Sequence, residues 1–230
     1  MDELAWQLKI DPVELRRKNR ATEDEDKKLP WSSNHLDECY RIATEKFGWV
    51  RRAPAIGAQR DGRETLGWGF AAAYWPSERQ AASVRVELRA DGTARVACAT
   101  QDIGTGTYTV FAQVIAEVTS LPADRVDVQI GDSSLPPGPI SGGSMVTSTV
   151  TPAIAKAARV ALNNLYTAAT RAHGPFAGQD PQTLTVVDGS IVARSGQKRS
   201  WAEAFAGAQL DQVTGEAKLL DPVWGGVYIA

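Results

Sequence analysis

The stretch ASVRVELRADGTARVACAT constrains this chain more than any other. Val84, Val86 and Leu88 alternate with polar residues, Ala94, Val96 and Cys98 recur at the same spacing of two, and Asp91-Gly92 stands between the two runs. Alternation places each run on a half-buried strand, and an Asp-Gly pair supplies the backbone freedom that a tight hairpin turn requires. An antiparallel hairpin is therefore expected here. Its second strand leads directly into Gln101-Asp102-Ile103-Gly104-Thr105-Gly106-Thr107, after which Val110, Phe111, Val114, Ile115 and Val118 recur at helical spacing.

The rest of the chain reads in the same way. Residues 1 to 10 and 11 to 20 form two short helices, the second capped by Asp11, opened by Pro12 and completed as a capping box by Glu14. The charged segment ATEDEDKKLPWSS is a solvated loop, and a helix runs from Ser33 to Phe47, ending at Gly48. Beyond the glycine turn, ADRVDVQIGD is a strand, and the polar loop DSSLPPGPISGGSMVTSTV leads to a long helix from Pro152 to near Ala172, capped by Thr151. The segments TLTVV and SIVAR make another hairpin around Asp188-Gly189-Ser190, and Ser200 with Glu203 opens a last short helix. The predicted class is α+β, with antiparallel hairpins and a mixed sheet covered by helices. A helical segment over 1–55 precedes a lobe over 56–230.

Composition narrows the function. At 230 residues and 43% hydrophobic content the chain can bury a core, while 25 basic against 27 acidic residues leave no field for a nucleic acid backbone. No run reaches the ~18 apolar residues of a membrane span, and the N-terminus is too acidic and amphipathic for a signal peptide. Cys39 and Cys98 lack the nearby partners of a zinc or iron–sulfur site; they read as buried thiols in a reducing compartment, with a single disulfide as the alternative. His35 and His173 lie at helix ends and read as solvated cap residues. No nucleophile elbow, zinc-protease helix or kinase signature occurs, and no catalytic base can be picked out.

Two glycine loops remain. Gly104, Thr105, Gly106 and Thr107 precede a helix whose first amides have no partner within the helix, an arrangement that accepts anions. Thr109 stands where a dinucleotide fingerprint needs its third glycine, and no Gly-Lys-Ser/Thr ending makes a phosphate-binding P-loop. Ile140-Ser141-Gly142-Gly143-Ser144 stands before the next helix, with further hydroxyls at Thr147, Ser148 and Thr149. Each loop alone also suits a plain role, a tight turn or a Ser/Gly linker. Together they can face a single polyanionic ligand from two sides.

The run TQDIGTGTYTVFAQVIAEVTSLPADRVDVQIGDSSLPPGPISGGSMVTSTVTPAI resembles the molybdopterin-binding large subunit of the xanthine dehydrogenase and aldehyde oxidase family. The opening MDELAWQLKIDPVELRRKN and DKKLPWSSNHLDECYRIATEKFGW are similar to it as well, so the likeness spans roughly residues 1 to 205. It implies that 56–230 is part of a molybdenum cofactor-binding lobe. It also implies that Gly104, Thr105, Gly106, Thr107, Gly142, Gly143 and Ser144 contact the molybdopterin, Thr105 standing where many members have glutamine.

Members hydroxylate aldehydes or N-heterocycles with oxygen from water, use a glutamate as base, and pass electrons to iron–sulfur and flavin (FAD) domains or subunits. The glutamate's G-x-G-E motif has no match here, and Gly215-Glu216 reads as a hairpin turn. The expectation is thus a fragment of a molybdenum hydroxylase large subunit, inactive alone. It would be partnered by the rest of that subunit, with cofactor retention and homo-oligomerisation left open. A cytoplasmic location is implied, with periplasmic export through a partner subunit as the alternative. A stand-alone, non-catalytic binding module is the competing reading, and exposed apolar surface, including that of Trp68, Trp75 and Trp224, discriminates the two.

Overall fold

The polypeptide divides after Ser77 in a computed structural model that describes residues 1–26, 28–31, 33–73, 75–77, 79–219 and 227–229. Met1–Ser77 and a C-terminal strand form the first unit, and Glu78–Trp224 the second. The division falls later than the expected boundary at 55/56. The reason is aromatic: Phe70 packs edge-on against Tyr40 at 5.5 Å and Trp49 at 5.7 Å, which binds the segment beyond residue 56 to the helical one.

In the first unit, α1 (Asp2–Leu8) and α2 (Pro12–Lys18) stand where expected. The Asp11 carboxylate accepts the amides of Val13 at 2.8 Å and Glu14 at 3.3 Å, and also the Trp49 indole N–H at 3.0 Å. Glu14 does not return a capping-box bond; its carboxylate pairs with Arg17 at 2.7 Å. Inside the charged segment read as loop, β1 (Glu23–Asp24) and β2 (Leu29–Pro30) form a minimal antiparallel ladder. The helix α3 (Leu36–Phe47) starts after His35 rather than at Ser33, and ends as expected on Gly48 at φ 76°.

Tyr40 faces the core of this unit with Val13 and Trp49. Cys39, one residue away and so turned well round the helix, is exposed rather than buried. The two-residue strands β3 (Arg60–Asp61) and β4 (Glu64–Thr65) pair, and β5 (Trp75–Ser77) ends the segment.

The second unit begins with the hairpin, β6 (Ala82–Arg89) and β7 (Ala94–Ala97), in antiparallel register with Val86 opposite Val96. Asp91 steadies the turn by accepting the Thr93 amide at 2.9 Å. Then come α4 (Thr107–Thr119), β8 (Val126–Gln129) and α5 (Val146–Ala169). A three-stranded antiparallel sheet follows, β9 (Leu184–Val187), β10 (Ser190–Ala193) and β11 (Lys198–Ser200), and after it α6 (Trp201–Gly207) and β12 (Gln212–Leu219). The expected Ser200–Glu203 capping box is present in both directions.

The main sheet has order β12-β6-β7-β8, antiparallel except for the β7–β8 pair, which α4 connects as a parallel crossover. α5 packs across β12 and β6, and α4 lies beside it over β7 and β8. Their shared core includes Val84, Val86, Leu88, Phe111, Ile115, Val150, Ile154 and Leu165. A final strand, β13 (Val227–Ile229), pairs antiparallel with β5 in the first unit.

Two expectations are corrected here. Helix α5 starts at Val146, so Pro152 lies inside it rather than at its first position, and Thr147, Ser148 and Thr149 belong to its opening turn. The Thr151 hydroxyl bonds the Thr147 carbonyl at 2.8 Å, the back-bonding habit of a helical threonine rather than of a cap. Gly215 is not in a turn but mid-strand in β12, opposite Val86. A Cβ at that position would stand 2.1 Å from the Ala157 carbonyl oxygen and 2.4 Å from the Ala161 nitrogen, so glycine is there because α5 presses its backbone onto the sheet.

Candidate functional site

The two glycine loops leave the second unit side by side. After β7 the chain runs parallel to 136–141, with Ala99 bridged to Pro137. The Ala99 amide donates to the Pro136 carbonyl at 2.6 Å, and the buried Thr100 hydroxyl donates to the Pro139 carbonyl at 2.8 Å. One residue further, the Ser141 amide donates to Gln101 Oε1 at 2.9 Å and the Ser141 hydroxyl donates to the Gln101 carbonyl. Asp102 then opens the first loop, and Gly142 the second.

Close approach along this seam depends on Gly138. A Cβ there would stand 2.5 Å from Cys98 Sγ. Burial pushes the Cys98 thiol up to about 11, so it fills space as a neutral group and offers no thiolate.

In the first loop, Gly104 and Gly106 hold φ of +97° and +80°, and a Cβ at either would meet open space. The backbone is thus bare on its outer side, with Thr105 exposed between the two glycines. The amides expected to await an external anion already have one. Asp102 accepts the Gly104 amide at 2.8 Å and the Thr105 amide at 2.9 Å, and the amides of Thr107 and Tyr108 also act on it. Desolvation raises the carboxyl's pKa, the amides lower it, and the net is below the ordinary aspartate value. Thr107 is buried and its hydroxyl lies 3.4 Å from that of Thr105, so it braces the turn from within.

The second loop differs. Gly143 and Ser144 hold φ of +55° and +57°, a conformation that a serine adopts uncommonly, and Gly142, Gly143 and Ser144 are all exposed. Helix α5, like α4, has no side-chain cap on its first amides. The exposed side chains nearest in sequence are Ile103 and Ile140, 68% and 67% exposed, with Tyr108 half-exposed.

The donor set is therefore hydroxyls and bare amides with apolar flanks. It suits a planar, hydrogen-bonding heterocycle with an anionic end. The sequence does not mark Gln101 and Gly138 as site residues, because their partners lie 40 residues away and leave no local pattern.

The sequence family described as molybdopterin cofactor-binding domain matches residues 42–220. The chain belongs to this family. Its curated relatives include the aldehyde oxidoreductase molybdenum-binding subunit PaoC of Escherichia coli (strain K12), 36% identical over 91% of this chain and 28% of that one. The putative xanthine dehydrogenase molybdenum-binding subunit XdhA of the same strain is 31% identical over 84% of this chain and 26% of that one.

The chain thus spans under a third of the length of these relatives. Among solved structures it resembles Cu,Mo-CO dehydrogenase, with TM-score 0.72 and 17% identity over 98% of this chain and 32% of that one. It also resembles quinoline 2-oxidoreductase from Pseudomonas putida 86, with TM-score 0.71 and 18% identity over 99% of this chain and 32% of that one. At that identity the likeness is one of fold, and it bears out the α+β class with a mixed sheet under helices.

Proposed function

We propose that this chain supplies two cofactor-cradling loops to a molybdenum hydroxylase large subunit that hydroxylates aldehydes or N-heterocycles. Gly104, Thr105 and Gly106 would face the pterin's hydrogen-bonding edge, while Gly142, Gly143 and Ser144 with the α5 amide end would take its anionic end. Thr107 supports the first turn from the buried side. When bound, the cofactor supplies the redox chemistry that inserts water-derived oxygen.

The chain's own residues bind and orient; the base that takes the proton is proposed to come from other polypeptide, with iron–sulfur and flavin partners accepting electrons. A cytoplasmic location, with export carried by a partner subunit as the alternative, belongs to the same proposal. Among the described residues no helix is long and apolar enough to cross a membrane.

The observation that carries this reading is the seam that sets the two loops side by side in a chain of the molybdopterin-binding family. Exposed apolar groups in the first unit, Trp6 at 60%, Ile56 at 80% and Val50 at 94%, support a chain that works with further polypeptide. In the same unit Trp68 is half-buried against the aromatic core, while Trp224 lies outside the described residues.

The test is co-purification from a host that makes molybdopterin, with pterin released by acid and read by its fluorescence. Equimolar pterin is expected on the unsubstituted chain and little on Gly142→Val. Gly142 has no positive φ, and its nearest neighbour to a new Cβ is Ile140 Cδ1 at 4.0 Å, so the chain tolerates the side chain while its outer face is blocked. Equal pterin on both proteins would refute the site.

A further inference from the structure

We infer that Gln101 and Ser141 form a positioning clasp that fixes the spacing and orientation of the two glycine loops, an inference that rests on the proposed pterin site. Three successive links join 99–101 to 136–141, and they differ in kind. Ala99 to Pro136 involves backbone alone, and Thr100 to Pro139 is buried, as parts of a packed fold are. The last link is exposed and reciprocal. Gln101 accepts the Ser141 amide through its side chain and the Ser141 hydroxyl through its backbone carbonyl.

Two bonds between the same two residues restrict rotation as well as distance, which a single bond does not. The clasp sits at the residue before each loop, so any slack there is amplified in the glycines beyond it. Those glycines resist little, since Gly104 and Gly143 hold positive φ on exposed backbone and Gly106 does so on half-buried backbone. Asp102 fixes only the first loop internally, through the Gly104 and Thr105 amides. The first loop is thus shaped by Asp102 and placed by Gln101, whereas the second is placed by Ser141.

An exposed clasp contributes little to global stability, because water replaces its bonds when the chain opens. Its effect belongs in ligand retention, where a loop already in place loses less freedom on binding. The experiment compares the unsubstituted chain with Gln101→Ala and Ser141→Ala on two readouts: the rate at which bound pterin is lost on dilution, and amide hydrogen exchange of the cofactor-free chain.

Each substitution is expected to speed pterin loss about threefold to tenfold, the loss of one hydrogen bond. Gln101→Ala, though it alters only the first loop's root, should raise exchange in both 102–107 and 142–145 with the melting midpoint unchanged. Gln101→Glu, which keeps an acceptor for the Ser141 amide, should restore exchange protection. Unchanged pterin loss, or faster exchange confined to 102–107, overturns the clasp; so does faster loss that tracks a fall in melting midpoint. If the unsubstituted chain holds no pterin, the site reading fails, and exchange in the two loops still decides whether Gln101 and Ser141 couple them.

Discussion

Gly215 shows how one missing carbon sets a helix on a sheet. Its neighbours in β12 alternate buried and exposed as strand residues should, yet at its own position the Ala157 carbonyl takes the space of a side chain. Alanines at 153, 157, 158 and 161, all fully buried, give α5 the flat surface that matches it. Replacing Gly215 by alanine forces α5 off the sheet. It should lower stability by about 1–3 kcal/mol, as overpacking of a tight core does. The check is the midpoint of denaturant unfolding, and an unchanged midpoint would show that the helix yields freely. Gly138 against Cys98 Sγ follows the same rule beside the loops. Neither glycine differs in local sequence from one in a turn, which is why Gly215 reads as a turn until its neighbours in space are known.

At the scale of elements, the contrast between α4 and α5 is the informative one. Both follow a glycine loop, and from sequence both offer free amides. Neither helix has a side-chain cap, but the loop before α4 holds its own carboxylate, because Asp102 lies two and three residues before the amides of Gly104 and Thr105 and the loop curls back over it. No comparable acid precedes α5. Since the folded pKa of Asp102 is depressed, its contribution is present above about 3.9, the unfolded-state value, and is lost as pH falls through the lower folded value. The amide proton shifts of Gly104 and Thr105 should therefore titrate with a midpoint below about 3.9 and cease to titrate in Asp102→Asn. A midpoint above that value would show that the amides do not hold the carboxylate. Helix ends were legible where a side chain caps locally, as Ser200 and Asp11 do. They are hidden at α5, where Pro152 reads as a first-turn residue although the helix begins at Val146.

For the molecule as a whole, the two units hold separate cores. The second buries a continuous set from Ala82 to Ala217, while among the described residues the first holds a small cluster of Val13, Tyr40 and Trp49 with partly buried neighbours, Ala5 and Leu15 being buried beside α1 and α2. Buried apolar area sets stability, so the first unit should open at lower denaturant than the second. Trp49 and Trp201, buried at 8% and 5% exposure, report the two separately. In chains carrying other tryptophans as phenylalanine, the Trp49 fluorescence transition is expected before that of Trp201, and coincident transitions would show one cooperative body. The alternating runs, the Asp-Gly and Asp-Gly-Ser turns and the helical spacing after Gly106 settled the α+β class, since such patterns act between residues a few positions apart. The glycine loops also announced themselves, through composition. Only the tertiary structure decided that Gln101 meets Ser141, that Asp102 takes up the Gly104 and Thr105 amides of the first loop, and that Gly215 lies beneath a helix. Each of these depends on which backbone approaches which across the fold, and short-range pattern carries no record of that.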